Sequence, residues 1–262
     1  MRILFIGDLV GSPGRRALAE HLNRLVDRHR ADFIVVNVEN SAGGFGVTPA
    51  IARETLQLGV HCLTTGNHVW DRKEIVPYID EEPRLLRPLN FPDPAPGRGV
   101  YVGETADGTP VAVINLMGRV FMPPLLCPFQ TADAALRDLN GRAAVVLVDF
   151  HAEATSEKQA LAWHLDGRAT AVVGTHTHVQ TADERVLPGG TAAITDVGMT
   201  GPHDSVIGIE TPLALERFLT QRPVRFSTAS ANVRLKGVLI DADERSGRAR
   251  SITRLSEPGE DG

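Results

Sequence analysis

The chain has 262 residues, of which 42% are hydrophobic and 23% are charged, as in an ordinary globular protein. Its net charge of -5 and isoelectric point near 6.0 exclude an overall basic field that would attract nucleic acid or a membrane surface. Two cysteines, Cys62 and Cys127, are too few for a disulfide framework or a thiolate zinc cage. No segment approaches the roughly 20 apolar residues that span a bilayer, and the apolar N-terminus is too short for a signal peptide. We therefore expect a cytoplasmic protein.

Strand and helix patterns alternate along the first part of the chain. Continuous Val and Ile runs are typical of parallel strands covered on both faces, and the β-α-β-α-β order predicts a parallel sheet with right-handed crossovers. Thr48 followed by Pro49 predicts the N-cap and first turn of the second helix. The predicted strands cover residues 2–7, 32–40 and 60–68, and the predicted helices cover residues 15–29 and 49–59.

The second part begins with a proline-rich, non-helical connector over residues 84–99 and contains two predicted antiparallel hairpins. No linker composition separates two domains, so we predict a single α/β domain over residues 1–255 and a flexible C-terminal tail over residues 256–262. The hairpins cover residues 99–116, with a turn at Asp107 and Gly108, and residues 233–255. Between them we predict strands over 143–153 and 169–178, a helix over 156–167 opened by a capping box from Ser156 to Gln159, and a helix over 212–221.

Five of the predicted strands end in side chains that can bind a metal ion. Open parallel sheets form their sites outside the carboxyl ends of the strands, where ordinary loops favour Ser, Gly, Asp and Asn. The segment VVGTHTHVQT also places two histidines two residues apart, and their rings face the same side if the chain there is extended. The residues at these strand ends are Asp8, Glu39, Asn40, Asn67, His68, His151, His176 and His178.

The types of donor atom in this set predict two metal ions. Carboxylate, amide and imidazole groups without thiolate suit iron, manganese or zinc, and their number exceeds what one tetrahedral ion uses. Two divalent ions ~3.5–4 Å apart would use them all. The ions bring four positive charges, of which Asp8, Glu39 and a bridging hydroxide cancel three. The surplus favours an anionic phosphate, and an amide rather than a carboxylate at Asn67 preserves it.

Six segments resemble the calcineurin-like metallophosphoesterase superfamily and, more closely, its bacterial YmdB-type branch: GDLVG, NVENSAGG, TTGNHVWD, DFHAEATSEK, GTHTHVQTAD and TDVGMTGPHDSVIG. They run in consistent order from Asp8 to about Glu210. The resemblance implies a four-layer α/β/β/α sandwich with two mixed sheets, and an enzyme that hydrolyses cyclic nucleotides, notably 2',3'-cyclic AMP. It implies one ion held by Asp8, Glu39, Asn40 and His178, and a second held by Glu39, Asn67, His151 and His176.

Two positions depart from the broad superfamily pattern. Val10 stands where that pattern has a histidine, and Glu39 stands in place of the usual bridging aspartate. Both departures fit the YmdB-type branch, with Asn40 as the substitute ligand at the first ion.

The resemblance and the residues predict the same mechanism. A hydroxide bridging the ions attacks phosphorus in line, while the ions neutralise charge on the equatorial oxygens. His68, next to Asn67, is predicted to protonate the leaving sugar oxygen, although it can instead orient Asn67.

Weaker predictions and alternatives remain at this point. Thr200 and His203 are predicted substrate contacts, and the glycines of SAGGFGVT either offer N–H groups to a phosphate or only shape a turn. The alternatives are a dinucleotide-binding enzyme, a regulatory protein that binds metal or nucleotide with little turnover, and a phosphomonoesterase or nuclease. The sequence has no basic groove for long nucleic acid, which argues against a nuclease. We expect a small phosphodiester as the partner, and the sequence leaves a homo-oligomer open.

Overall fold

A computed structural model describes residues 1–139 and 141–259 and folds them into two mixed β-sheets flanked by helices. The helices are α1 (Gly11–His29), α2 (Pro49–Gln57), α3 (Ile75–Glu81), α4 (Pro128–Leu139), α5 (Thr155–His164) and α6 (Thr211–Thr220). The strands are β1 (Arg2–Ile6), β2 (Asp8–Leu9), β3 (Phe33–Asn37), β4 (Cys62–Thr64), β5 (Val100–Glu104), β6 (Pro110–Met117), β7 (Val145–His151), β8 (Ala171–Thr175), β9 (Arg185–Val186), β10 (Ala192–Ile194), β11 (Met199–Pro202), β12 (Val233–Ala242) and β13 (Ala249–Pro258). Within the described residues, no helix is long and apolar enough to cross a membrane.

Each sheet combines the predicted parallel strands with antiparallel neighbours. The first sheet has the order β2-β11-β12-β1-β3-β4, with β13 paired to β12, and its β1, β3 and β4 run parallel. The second sheet has the order β5-β6-β7-β8-β10-β9, with β6, β7, β8 and β10 parallel. Both predicted hairpins are present as the antiparallel pairs β5–β6 and β12–β13.

Alternating side chains of the central strands build three apolar cores. In β1, Ile3 and Phe5 enter the core between the two sheets, whereas Leu4 and Ile6 enter the core under α1 and α2. The strand β7 divides its side chains in the same way between the middle core and a third core under α4 and α5. Strands with two covered faces need apolar residues at consecutive positions, which explains the continuous Val and Ile runs. The predicted four-layer α/β/β/α sandwich is therefore confirmed.

The N-cap of α2 gives a prediction about stability. The Thr48 hydroxyl accepts a hydrogen bond from Ile51 N at 3.3 Å, as the Thr-Pro pair predicts, and Pro49 occupies the first turn. Thr48→Ala is expected to lower the free energy of unfolding by about 1 kcal/mol, measured by urea denaturation, because one N–H of the first turn loses its partner. Ser156→Ala is the matched control, since the α5 N-cap is Ala154 and no side chain caps that helix. An equal loss in both variants would contradict the prediction.

Several predicted boundaries are wrong. The capping box from Ser156 to Gln159 is absent because α5 begins at Thr155 without a side-chain cap. The predicted tail begins at residue 256, but β13 pairs with β12 as far as Pro258, whose partner on β12 is Arg234. The rest of the expected tail, residues 260–262, lies outside the described residues. The helices α3 and α4 were not predicted from the sequence, because α3 is short and α4 begins in a proline-rich segment.

Candidate metal centre

The carboxyl ends of β3, β7 and β8 bring three predicted ligands into one cluster. Glu39, His151 and His176 each direct one donor atom so that all three atoms lie within 4.8 Å of one another. Glu39 and His151 are almost completely buried, and the His176 side chain is 20% exposed. Buried carboxylate and imidazole groups are costly unless they pair with one another or coordinate a metal. The cluster is therefore a possible metal site on the geometry alone.

The Nε2 atom of His151 is the centre of the cluster. It lies 2.9 Å from Glu39 Oε1, 3.0 Å from Asn67 Oδ1 and 3.1 Å from His176 Nδ1. One imidazole nitrogen has a single hydrogen or a single lone pair, so it cannot satisfy three such neighbours. Two ligands at about 2.1 Å from one ion and at right angles lie about 3.0 Å apart, which is the spacing found around this atom.

Among the described residues, the buried oxygens Asp8 Oδ1 and Asn40 Oδ1 have no hydrogen-bond partner, and Glu39 Oε1 meets only the crowded His151 Nε2, at 2.9 Å. The amide nitrogen of Asn40 donates to Gly44 O at 2.9 Å, which leaves its oxygen as the free atom. Asp8 accepts a hydrogen bond from His176 N at 3.2 Å, and its other oxygen lies 3.9 Å from His151 Nδ1. Buried acceptors without donors are uncommon in folded proteins, and a cation would satisfy all three.

Each of the three histidines uses one ring nitrogen to bind an acceptor. His151 Nδ1 lies 2.9 Å from Thr175 Oγ1, and His178 Nδ1 lies 2.8 Å from Ile207 O. His176 Nε2 lies 3.1 Å from a carboxylate oxygen of Glu153. This pattern is typical of metal-binding histidines, whose second nitrogen donates to an acceptor that fixes the tautomer and the ring orientation.

Asp149 orients His151 through Thr175 and was not predicted from the sequence. Its Oδ1 accepts a hydrogen bond from Thr175 Oγ1 at 2.7 Å, and Thr175 in turn contacts the His151 ring. Its Oδ2 accepts from Asn37 Nδ2 at 3.0 Å and from Thr64 Oγ1 at 2.5 Å. The available signal was the spacing in VDFH, since residues i and i+2 of a strand share a face.

The backbone conformation of the two histidines in GTHTH differs from the predicted one. The expected extended conformation is wrong, because β8 ends at Thr175 and both His176 and His178 have positive φ angles, of 99° and 66°. Asp196 holds the intervening Thr177 through its N–H at 3.0 Å and its hydroxyl at 2.8 Å. Asp196 is itself paired in the interior with Lys158 Nζ at 2.7 Å. This buried pair therefore fixes the strained turn that carries both imidazoles.

Mutual charges shift the pKa values within the cluster. Burial opposes ionisation of Glu39, but the positive charges of His151 and His68 outweigh it and lower the pKa of Glu39 to about 2. Burial also disfavours the charged form of His151, but the nearby carboxylates, Glu39 first, raise its pKa to about 9. Burial and the charge of His151 lower the pKa of His176 to about 3. At neutral pH, His151 is thus protonated beside the ionised Glu39 carboxylate, while His176 is neutral.

His68 lies beside this cluster with its ring oriented by two neighbours. Its Nδ1 lies 2.8 Å from Asp71 Oδ2, and its ring packs edge-on against Phe45 with centroids 5.1 Å apart. Its backbone N–H donates to Glu39 Oε2 at 3.2 Å. The sequence analysis did not identify Asp71, although its position three residues after His68 was a usable signal.

Two of the other predicted ligands line a cavity beside the cluster, whereas the two predicted substrate contacts do not. Asn40 and His178 face a cavity of ≈ 100 Å³ together with Glu39 and His176. The predicted contact between Thr200 and the substrate is wrong, because Thr200 is completely buried. Its hydroxyl bonds to Lys236 O and N at 3.1 Å and joins β11 to β12. His203 lies outside this lining, with its Nδ1 3.0 Å from Gly201 O, and its contact with substrate stays a prediction.

Comparisons with known sequences identify a protein family. The sequence model of the YmdB-like protein family matches residues 4–255. The chain belongs to the YmdB-like family. It is 52% identical over 256 residues to a "2',3'-cyclic-nucleotide 2'-phosphodiesterase" of Bacillus subtilis, covering 97% of this chain and 96% of that protein. The predicted resemblance is thus confirmed, and membership argues against the dinucleotide-binding alternative.

Two solved structures extend the comparison to the fold. The YmdB-like chain is 32% identical to a "novel phosphatase" of Mycoplasma pneumoniae, with a TM-score of 0.92 and coverage of 98% of this chain and 93% of that one. The "calcineurin-like phosphoesterase YfkN" of Bacillus subtilis is 11% identical, with a TM-score of 0.59 and coverage of 98% and 90%, which supports the fold alone. The prediction that this YmdB-like chain is an enzyme is confirmed by its relatives.

Proposed function

We propose that the chain is a metal-dependent phosphodiesterase that hydrolyses cyclic nucleotides, with 2',3'-cyclic AMP as the favoured type. The main support is the convergence of Glu39, Asn67 and His176 on His151 Nε2 at 2.9–3.1 Å. The unpartnered oxygens of Asp8 and Asn40 and the ring of His178 provide the second half of a dinuclear site. The name of the Bacillus subtilis relative supports the substrate.

The donor chemistry fits two divalent ions, with iron first and manganese or zinc as alternatives. Carboxylate, amide and imidazole donors suit all three metals. Ions bound here would activate the attacking water and neutralise the charge that develops on the phosphoryl oxygens. A cation in this position replaces the proton that His151 otherwise carries, so metal affinity falls as the pH falls. The ligands are Asp8, Glu39, Asn40 and His178 for one ion, and Glu39, Asn67, His151 and His176 for the other.

His68 supplies the proton for the leaving oxygen. Its Nδ1 donates to the Asp71 carboxylate, which favours the imidazolium form, and in that form Nε2 carries a second proton that it can give up at the cavity lined by Glu39 and His176. Its backbone bond to Glu39 ties the position of this acid to the position of the ligands.

One experiment tests the proposal directly. The purified protein is assayed for metal content per chain and for hydrolysis of 2',3'-cyclic AMP, 3',5'-cyclic AMP, an aryl diester and an aryl monoester. We expect two ions per chain, highest kcat/KM with 2',3'-cyclic AMP, loss of activity with a chelator, and its return with Fe²⁺ or Mn²⁺. Binding without turnover would favour the regulator, and a faster monoester reaction would favour a phosphomonoesterase.

Asp149→Asn is expected to weaken metal binding about 10- to 100-fold without removing a ligand. The Asp149 carboxylate accepts three hydrogen bonds, one of them from Thr175, which orients His151. The single oxygen of an amide cannot accept all three. The measurement is competition against a chromogenic chelator. Asp133→Asn is the control, since Asp133 lies on α4 and pairs with His164 at the end of α5, and neither residue belongs to the cluster. Unchanged affinity in the Asp149 variant would show that this network does not act on the metal.

A further inference from the structure

The cavity beside the candidate metal centre has an apolar end that the proposed chemistry does not use. Phe45 and Phe226, both half-buried, form part of its lining, while Glu39, His68 and His176 form the polar end. Its volume of ≈ 100 Å³ is below the roughly 300–1,000 Å³ of pockets that enclose a whole ligand. The cavity therefore encloses part of a substrate and leaves the remainder outside.

The loop that carries Phe45 is held rigidly. Arg72 reaches over it, donating from Nε to Phe45 O at 3.0 Å and from Nη2 to Ala42 O. Ala42 N donates to Gly46 O at 2.9 Å, and Gly46 has a φ of 74°, which only glycine adopts without strain. The N–H groups of Ala42 and Gly44 are bonded within the loop, which supports a shaping role for these glycines. The backbone at Phe45 is thus held in place by hydrogen bonds within the protein.

The segment that carries Phe226 lines the same cavity and lies against the loop of Phe45. Ser227 O accepts from Glu210 N at 3.0 Å, which fixes this segment to the start of α6. The neighbouring Thr228 packs where any side chain at Gly44 would stand, since a Cβ there would lie 3.1 Å from Thr228 Oγ1. The part of the cavity that Phe45 and Phe226 line is called the slot.

We infer that Phe45 and Phe226 receive the base of the nucleotide substrate by its faces; this inference rests on the proposed phosphodiesterase function. A cyclic nucleotide carries one flat aromatic group next to its phosphate, and Phe45 contacts the ring of His68, the proton donor. Aromatic rings bind any base through its π-face, with little dependence on sequence. Apart from the metal-centre residues, the polar side chains of the lining are Ser227 and Thr228, so base hydrogen bonding contributes little. Binding then depends mainly on stacking, so purines, which have the larger aromatic face, should bind better than pyrimidines.

The test compares two substrates that differ only in the base: 2',3'-cyclic AMP and the 2',3'-cyclic phosphate of methyl ribofuranoside. In the wild type we expect kcat/KM to be at least about tenfold higher for the nucleotide, chiefly through KM. Phe45→Leu and Phe226→Leu keep apolar bulk but remove the aromatic face, and each should lower this ratio severalfold. Calorimetric binding of 3'-AMP should weaken in parallel. Phe218→Leu, at a 70% exposed position on α6, is the control and should leave the ratio unchanged.

The outcomes separate this inference from the proposed function. Equal rates for the two substrates in the wild type would overturn the slot while the phosphodiesterase stands. Equal losses on both substrates in Phe45→Leu, with 3'-AMP affinity unchanged, would also overturn it, since the ring would then act only by holding His68. Hydrolysis of neither substrate by metal-loaded wild type would overturn the proposed function and the slot together.

Discussion

Replacing His151 by alanine is expected to abolish turnover, with a loss of at least about 10³-fold in kcat for 2',3'-cyclic AMP. His151 Nε2 lies within 3.1 Å of the donor atoms of Glu39, Asn67 and His176, so its removal opens the coordination sphere of one ion. Losing that ion removes several kcal/mol of charge stabilisation at phosphorus. Elemental analysis should show the metal content falling from two ions per chain towards one.

His164→Ala provides the matched control for this variant. His164 is an exposed histidine at the end of α5 that pairs with Asp133, so its loss should change neither metal content nor rate. Circular dichroism should establish that His151→Ala remains folded, and Asn67→Ala gives a second test that removes no charge. Full activity with two ions retained in both variants would refute the ligand assignment.

Replacing His68 by alanine is expected to slow hydrolysis of 2',3'-cyclic AMP by about 10²- to 10⁴-fold while both ions are retained, because a general acid contributes that factor. The loss should depend on the leaving group. A sugar alkoxide needs a proton as it departs, whereas p-nitrophenolate leaves without one. The measurement is therefore kcat on the cyclic nucleotide and on a p-nitrophenyl diester, with metal content determined in parallel.

Asp71→Asn separates the two interpretations of His68. Asp71 Oδ2 lies 2.8 Å from His68 Nδ1, so the substitution weakens orientation of the ring but leaves the ring in place. We expect an intermediate loss on the cyclic nucleotide and a smaller one on the aryl diester. If His68→Ala slows both substrates equally and also lowers the metal content, His68 orients Asn67 and does not act as the acid.

The location of the site could be predicted from the sequence because parallel strands leave a strong signal. Continuous apolar runs such as the one ending at Asn37 marked the strands, and their carboxyl ends lie at common edges. The polar residues after each run, such as Glu39 and His151, therefore had to be neighbours. The structure brings Glu39, His151 and His176 together as this reasoning expects.

The conformation of the loops could not be predicted in the same way. The pair His176 and His178 was assigned to an extended chain, but both adopt positive φ angles because the buried Asp196 holds Thr177 between them. The glycine-rich, polar composition of GMTGPHDS predicted a substrate-facing loop for Thr200, yet this residue lies in β11 with its hydroxyl bonded to β12. Local composition cannot reveal partners that lie far away in the chain.

The sequence by itself determined which donor atoms stand at which strand ends, and hence the chemistry that the edge of each sheet offers. Only the tertiary structure decided which ring nitrogen faces the cluster, that Asp149 and Asp71 orient the histidines, and that Phe45 and Phe226 line one cavity. The physical reason is distance along the chain. Residues such as Asp8 and His176, 168 positions apart, meet because of the order of the strands and the packing of the two sheets. No local pattern encodes that order.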